Sequence, residues 1–174
     1  MNRPAWLANG RFTQIALIVL ATGAIVPVAP LIWHYAQTTE IRPHAPDWAL
    51  LAALPLQVKI HLTGALTALA IGTVIWVLPK GRGPHKALGW TWVIAMAIAA
   101  ISSLFITGLN GNFYSFIHFL SGWTLIALPM AIFAIRNRNV AMHRRNMTGV
   151  FVGGLIVAGG LSFIPGRFMF EFFF

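Results

Sequence analysis

Residues 57–78 read QVKIHLTGALTALAIGTVIWVL, an apolar stretch that carries a single charge, on Lys59. A segment that crosses a bilayer needs about 20 mostly apolar residues. Because an isolated strand cannot satisfy its backbone groups in lipid, such a segment crosses as an α-helix. The stretch therefore predicts an all-α integral membrane protein.

Four other stretches meet the same requirement, so the sequence predicts five transmembrane helices in a single membrane domain, 1–174. In chain order the predicted spans are 12–33, 57–78, 86–109, 113–135 and 140–165. Of the 174 residues, 58% are hydrophobic and 9% charged, whereas soluble domains carry about 25% charged residues. This composition excludes a disordered chain and a cytosolic enzyme.

The first span could instead be a cleaved signal peptide. Its apolar run is longer than that of a typical signal peptide and no A-x-A cleavage site follows it, so we predict a transmembrane helix here.

The charges divide unevenly between the two sides that five spans create. One side carries nine cations and no acid: Arg3, Arg11, Lys80, Arg82, Lys86, Arg136, Arg138, Arg144 and Arg145. The other side carries three acids and three cations: Glu40, Asp47, Glu171, Arg42, Lys59 and Arg167. The positive-inside rule then predicts a bacterial inner (cytoplasmic) membrane protein with its N-terminus in the cytoplasm and its C-terminus outside. The net charge of +9 thus indicates topology; we expect the lipid bilayer as partner and no nucleic acid.

Spans two and three share a pattern with spans four and five. One unit opens with the sequence IHLTG at 60–64, and the other opens with IHFLSG at 117–122. In each unit an apolar helix, a basic loop and a second histidine follow, and the glycine-to-histidine spacing is the same. The pattern predicts a parallel internal repeat, 57–109 and 113–165, folded as a four-helix bundle with a pseudo-two-fold axis along the membrane normal. Chance similarity between two hydrophobic hairpins is the alternative.

Four histidines occupy matching depths in this arrangement. His61 and His118 lie about one turn inside the outer ends of spans two and four. His85 and His143 lie in the first turns of spans three and five, at the inner end. The Gly-Pro pair at 83–84 and the predicted N-cap Asn139 fix these helix starts. Each pair can therefore face across the bundle core.

Two facing imidazoles leave room for a flat macrocycle whose iron they ligate, so the pattern predicts bis-histidine haem. Taken singly, His85 and His143 are also typical of residues that contact lipid headgroups. His61 and His118 are also typical of residues hydrogen-bonded to Thr, Ser or a backbone carbonyl. The equal depth within each pair favours ligation. His34 and His44 have no partner at matching depth and are expected at the surface of the outer loop.

Small and basic neighbours extend this candidate site. Glycines that would let a porphyrin approach the backbone follow three of the histidines: Gly64, Gly89 and Gly122. Haem propionates favour nearby cations at the interface. The candidates are Lys59 for the outer site, and Arg82, Lys86, Arg144 and Arg145 for the inner site.

The arrangement resembles the cytochrome b-561 superfamily, whose four-helix core holds two b-type haems on helix pairs two/four and three/five. The resemblance implies that His61 and His118 ligate the outer haem, and His85 and His143 the inner one. The local sequences PHKALGW at 84–90 and AMHRRNM at 141–147 are also similar to an uncharacterised family of bacterial predicted membrane proteins. That second likeness covers roughly spans two to five.

These features predict electron transfer across the membrane between two haems, as in a transmembrane oxidoreductase. A quinol or another small molecule would be the electron donor or acceptor. A pump would need carboxylates within the membrane, and all three acids lie outside the spans. The chain has no cysteine, which excludes thiolate metal sites and disulfides. The alternative is a haem-free structural or accessory subunit of a larger membrane complex, with a membrane-protein partner or a second copy of the chain as a homodimer.

Overall fold

The structure, a computed structural model, describes residues 41–107 and 116–174, together with Pro30, Trp33, His34 and Gln37. Across those two ranges the regular structure is helical and contains no strand, as expected from the sequence. The elements are α1 (Trp48–Ala53), α2 (Leu56–Val77), α3 (Gly83–Ser103), α4 (Phe116–Arg136), α5 (Val140–Val150), a π-helical segment (Phe151–Val157), α6 (Ala158–Leu161) and α7 (Phe168–Phe173).

Three of the predicted spans are confirmed as helices long and apolar enough to cross a membrane. They are Leu56–Val77, Gly83–Ser103 and Ile117–Arg136. They correspond to the second, third and fourth spans predicted from the sequence, with ends that differ by one to six residues. The predicted first span, 12–33, lies outside the described residues except for Pro30 and Trp33.

The stretch predicted as the fifth span, 140–165, is largely helical but is not a single α-helix. α5, the π-helical segment and α6 follow one another without a break from Val140 to Leu161, and turns follow up to Gly166. The π geometry is visible in the Ala158 N–H, which donates to the Gly153 carbonyl five residues earlier. Such a wider turn is rare in helices and occurs often at functional sites. The sequence predicted this stretch as one regular span and did not predict the π turn.

The loop between α2 and α3 shows why the second span ends where it does. Pro79 disfavours a helical conformation at Leu78, which is extended. The Lys80 ammonium then donates to the carbonyls of Ile75, Trp76 and Leu78 at 2.6, 2.7 and 3.0 Å. These carbonyls at the end of α2 lack partners within the helix, so the lysine satisfies them and adds a favourable charge at that end.

The long helices pack mainly along the chain: α2 on α3, α3 on α4 and α4 on α5. The π-helical segment also contacts both α2 and α4. Two glycines permit the closest approaches. A Cβ atom at Gly64 would lie 3.1 Å from the Ala95 carbonyl oxygen and from the Ala99 nitrogen, both in α3. A Cβ at Gly72 would lie 2.5 Å from the ring of Phe151 in the π-helical segment.

Buried side chains are mostly small and lie between these helices. The core contains Ala68, Trp92, Met96, Leu128 and Leu155. Large apolar side chains, by contrast, cover the outward surface of the long helices: Leu66, Trp76, Trp90, Ile94, Trp123, Ile126 and Phe133 are all more than half exposed. An apolar surface of this extent requires lipid or a protein partner around it.

The two ends of the helices differ in character. The basic end holds the loops 78–82 and 137–139. The opposite end is closed by α1 and α7, which we call the aromatic cap. There Trp48 packs edge-on against Phe172 with ring centroids 5.6 Å apart. The backbone N–H groups of His44 and Asp47 donate to the carbonyls of Phe173 and Phe172 at 3.0 and 3.2 Å.

Candidate functional site

His61 is hydrogen-bonded to the helix that packs beside it. Its Nδ1 lies 2.8 Å from the Ala99 carbonyl oxygen in α3. The contact is possible because Gly64, three residues further along α2, lets the two helix backbones approach at Ala99. A carbonyl oxygen only accepts hydrogen bonds, so Nδ1 carries a proton, and in the neutral form of the ring Nε2 has the lone pair.

His143 has the same kind of partner at the basic end. The Asn139 side chain accepts from the Met142 N–H at 3.0 Å and so starts α5, which confirms the predicted N-cap. The cap places His143 in the first turn, where its Nδ1 lies 3.0 Å from the Ala131 carbonyl oxygen in α4. Here too Nδ1 is the donor and Nε2 keeps its lone pair.

His118 is the most buried of the four histidines, at 6% exposure. It lies in the first turn of α4, close in sequence to a layer of buried hydroxyl groups. The Ser103 and Ser121 hydroxyls are hydrogen-bonded to each other and join α3 to α4. Thr124 is also buried and donates to the Leu120 carbonyl at 2.9 Å. The sequence did not predict this contact between α3 and α4.

His85 lies in the first turn of α3, as the Gly-Pro pair at 83–84 predicts. It is half-buried, and its Nδ1 is buried without a hydrogen-bond partner among the described residues. His85 and His143 therefore both lie at the basic end, each in the first turn of its helix.

The cations predicted to balance haem propionates lie at two places, four of them at the basic end and Lys59 near the start of α2. Arg82, Lys86, Arg144 and Arg145 are all exposed at the basic end, around His85 and His143. Lys59 lies two residues from His61, and side chains so spaced leave a helix in nearly opposite directions. Its ammonium donates to the Ala52 carbonyl at the end of α1, at 2.7 Å.

The three glycines predicted to let a porphyrin approach the backbone lie in different surroundings. Gly64 is buried in the contact between α2 and α3. A Cβ at Gly89 or at Gly122 would meet no atom of the described residues within 4 Å, so these two glycines border open space.

His34 and His44, expected at the surface, are both exposed. In the part of the chain that the structure describes, no three His, Asp or Glu side chains group together as a three-ligand metal site requires.

A family model described as predicted membrane protein, DUF2306, matches residues 58–172. The chain belongs to this family. The match begins in α2, ends in α7 and includes all four histidines of the candidate site. It confirms the predicted likeness to an uncharacterised membrane-protein family and, with the three apolar helices, a membrane location. No curated protein and no solved structure matches this DUF2306 chain.

Proposed function

We propose that this DUF2306 protein binds b-type haem between paired histidines and transfers electrons across the membrane, as the resemblance to cytochrome b-561 implies. The observation that carries the proposal is the hydrogen bonding of His61 and His143. Each histidine donates Nδ1–H to a backbone carbonyl of the neighbouring helix. This bond orients the ring and leaves Nε2 as the ligating atom, which is how proteins commonly prepare a histidine for a metal.

The ligand pairs follow the predicted bundle. The contacts of α2 with α3, of α3 with α4 and of α4 with α5 support the predicted four-helix bundle, in which α2 would face α4 and α3 would face α5 across the core. On this arrangement His61 pairs with His118, and His85 pairs with His143. The internal repeat 57–109 and 113–165 stays a prediction.

The haem iron would supply one-electron chemistry, and the chain would supply its surroundings. The four histidines would hold the iron, and the Ala99 and Ala131 carbonyls orient the rings of His61 and His143. The buried hydroxyl groups of Ser103 and Ser121 lie near the outer pair, where they set the local polarity. The exposed cations of the basic end would balance propionate charge at the inner pair.

The same proposal keeps five spans, with the basic end in the cytoplasm and the aromatic cap outside a bacterial inner membrane. A span of this kind has about 20 residues of helix, or about 30 Å, so the histidine pairs would lie near opposite faces of the bilayer. A quinol or another small molecule would exchange electrons with one of them. The basic end would also attract anionic lipid headgroups.

The first test is the absorption spectrum of the purified protein. We expect a Soret band and a reducible α-band of b-type haem when the protein is expressed with sufficient haem. The variants His61→Ala and His118→Ala should lose the same spectral component, and His85→Ala and His143→Ala should lose the other. His44→Ala, an exposed histidine outside both pairs, is the control and should keep both components.

Colourless protein from haem-supplemented cells would overturn the proposal. So would loss of a different component in each of the four variants, because that result would contradict the pairing. Redox titration of the wild type distinguishes one haem from two, since two haems in different surroundings titrate at different potentials.

A haem-free accessory subunit is the second candidate, and one observation favours it. A Cβ atom added at Gly149 or Gly153 in the fifth span, or at Gly159 or Gly160 in α6, would meet no atom of the described residues within 4 Å. Small residues that border open space allow another helix to pack closely in a membrane. This candidate predicts colourless protein that co-purifies with a membrane protein or forms a homodimer through the fifth span.

A further inference from the structure

A groove runs along the outward face of the hairpin formed by α2 and α3. Its volume is about 530 Å³. On the α2 side Leu56, Ile60 and Thr67 line it, and on the α3 side Ile94 and Ile98 do so. Its floor is the close helix contact at Gly64. A second hollow of about 290 Å³ shares Ile60 and Ile98 and continues the groove to the end of α3 beside the aromatic cap.

The length of the groove matches one leaflet of a bilayer. From Leu56 to Thr67 the groove follows α2 for about 16 Å, at 1.5 Å per residue. The hydrocarbon core of a bilayer is about 30 Å thick, so one leaflet contributes about 15 Å. With the start of α2 at the membrane surface, the groove would begin at that surface on the side of the aromatic cap and end near the middle of the bilayer.

Among the described residues that line the groove, Lys59 alone is charged, and it lies near the groove's outer mouth. It is about 5 Å from the start of α2, the depth at which lipid headgroups meet the apolar core. The Ala52 carbonyl holds its ammonium there and uses one of three N–H donors, which leaves two for another acceptor. An apolar channel with a fixed cation at its surface end is complementary to an anionic headgroup joined to a long chain.

We propose that this groove binds a phospholipid of the leaflet on the aromatic-cap side, with one acyl chain along Ile60, Thr67 and Ile98 and the phosphate at Lys59. A phospholipid fits the charge of the mouth better than a neutral isoprenoid does, because a neutral molecule would leave the ammonium without an anion. The proposal rests on the membrane location and not on haem. None of the four paired histidines lines the groove, and Lys59, a predicted neighbour of the outer haem, leaves α2 in nearly the opposite direction from His61.

The test uses the full-length protein in detergent, titrated with phosphatidylglycerol and with diacylglycerol of the same acyl chains. Native mass spectrometry counts the bound lipids, and thermal unfolding reports the stabilisation that binding gives. We expect one phosphatidylglycerol to bind about tenfold more tightly than diacylglycerol, the effect of one charge-assisted contact. Lys59→Gln should reduce phosphatidylglycerol binding to the level of diacylglycerol.

Two matched variants test the groove itself. Thr67 and Thr73 are both exposed on α2, but only Thr67 lines the groove. Thr67→Phe should lower the affinity for phosphatidylglycerol by about tenfold or more, and Thr73→Phe should leave it unchanged. Ile94→Trp, at a position already 58% exposed, blocks the groove from the α3 side without changing the core.

Equal binding of phosphatidylglycerol and diacylglycerol would overturn the phosphate contact, and so would unchanged binding in Lys59→Gln. Equal losses in Thr67→Phe and Thr73→Phe would overturn the location. Displacement of the phospholipid by an uncharged isoprenoid quinone at equal concentration would assign the groove to a different ligand. Each result stands whether the purified protein is red or colourless, so it is independent of the haem proposal.

Discussion

Gly64 sets the separation of α2 and α3 at the level of the outer histidine. Because it has no Cβ, the backbone of α3 approaches until His61 reaches the Ala99 carbonyl. The Ser102 hydroxyl donates to the Ile98 carbonyl at 2.7 Å and also lies 3.1 Å from the Ala99 oxygen. A single missing methyl group therefore determines both a helix contact and the proton position on a histidine.

This contact predicts the effect of one added methyl group. Gly64→Ala should lower the free energy of unfolding by about 1–3 kcal/mol, because its Cβ would press on the backbone of α3, which cannot rotate away. Thermal unfolding in detergent measures the loss.

The matched control is Gly89→Ala, where a Cβ meets no atom of the described residues within 4 Å. It should raise the free energy of unfolding by about 0.5–1 kcal/mol, since alanine favours helix over glycine. If Gly64→Ala behaves like Gly89→Ala, the close approach of α2 and α3 is not as described.

For single residues, the sequence predicted interactions between neighbours in the chain and missed interactions between residues far apart in it. The N-cap Asn139 and the helix start at the Gly-Pro pair depend on neighbours in sequence, and both predictions are confirmed. The partner of His61 lies 38 residues away in sequence, and it is a backbone atom that any residue type would offer. No residue pattern could have identified that acceptor. Ligation of haem by the four histidines stays a prediction.

The π-helical segment is the element that most changes the predicted fold. It lies opposite Gly72 of α2, where the ring of Phe151 fills the space that a side chain would need. Phe151 also packs on Trp76, with ring centroids 5.2 Å apart. The segment thus packs this part of the chain against α2 as well as α4.

The contact between α2 and this segment can be measured with two substitutions. Gly72→Ala should lower the free energy of unfolding by about 1–3 kcal/mol because its Cβ would overlap the Phe151 ring. Phe151→Leu should lower it by about 1 kcal/mol through lost packing. In the double variant the smaller leucine removes the overlap with the Phe151 ring, while Trp92 Nε1 stays 2.7 Å from the new Cβ. The two single losses should therefore sum to about 1 kcal/mol more than the loss observed, and part of the Gly72→Ala loss should remain.

Additive losses in that double-mutant cycle would contradict the contact.

The existence of the helices was predictable from composition, because a run of about 20 apolar residues can satisfy its backbone hydrogen bonds in lipid only as a helix or in a closed barrel. The change from α to π geometry was not predictable. It depends on how Phe151 and Leu155 meet the neighbouring helices, and the spacing of apolar residues alone does not record it.

For the whole molecule, the distribution of charge predicts orientation. The basic end carries lysines and arginines with no acid among them, and the aromatic cap carries Asp47 and Glu171 with few cations. Cytoplasmic loops are enriched in Lys and Arg, so the basic end should face the cytoplasm. The family match covers residues 58–172 and leaves the sidedness to be measured.

The absence of cysteine from the sequence makes this measurement direct. Single-cysteine variants Ala45→Cys and Asn137→Cys report on the two ends, and both positions are exposed. Neither substitution alters a charge, so neither changes the signal being tested. A membrane-impermeant maleimide should label Ala45→Cys in intact cells and Asn137→Cys only after the cells are permeabilised.

Labelling of Asn137→Cys in intact cells would reverse the proposed orientation, and with it the assignment of the inner and outer histidine pairs. Equal labelling of both variants in permeabilised cells is the control for accessibility. A third single-cysteine variant, Asn9→Cys, lies before the first predicted span and alters no charge; it counts the spans, since an odd and an even number place the residues before that span on different sides.

The aromatic cap also has a consequence for how the protein is made. His44 and Asp47 precede α2, whereas Phe172 and Phe173 follow the fifth span, yet their backbones are hydrogen-bonded. During synthesis the residues of α7 leave the ribosome only after α2 to α5 have been translated. The cap therefore closes last, and until then Trp48 and its neighbours are held in place by no partner from α7. The spans therefore insert into the bilayer before the aromatic cap forms, and the cap joins the ends of helices that are already inserted.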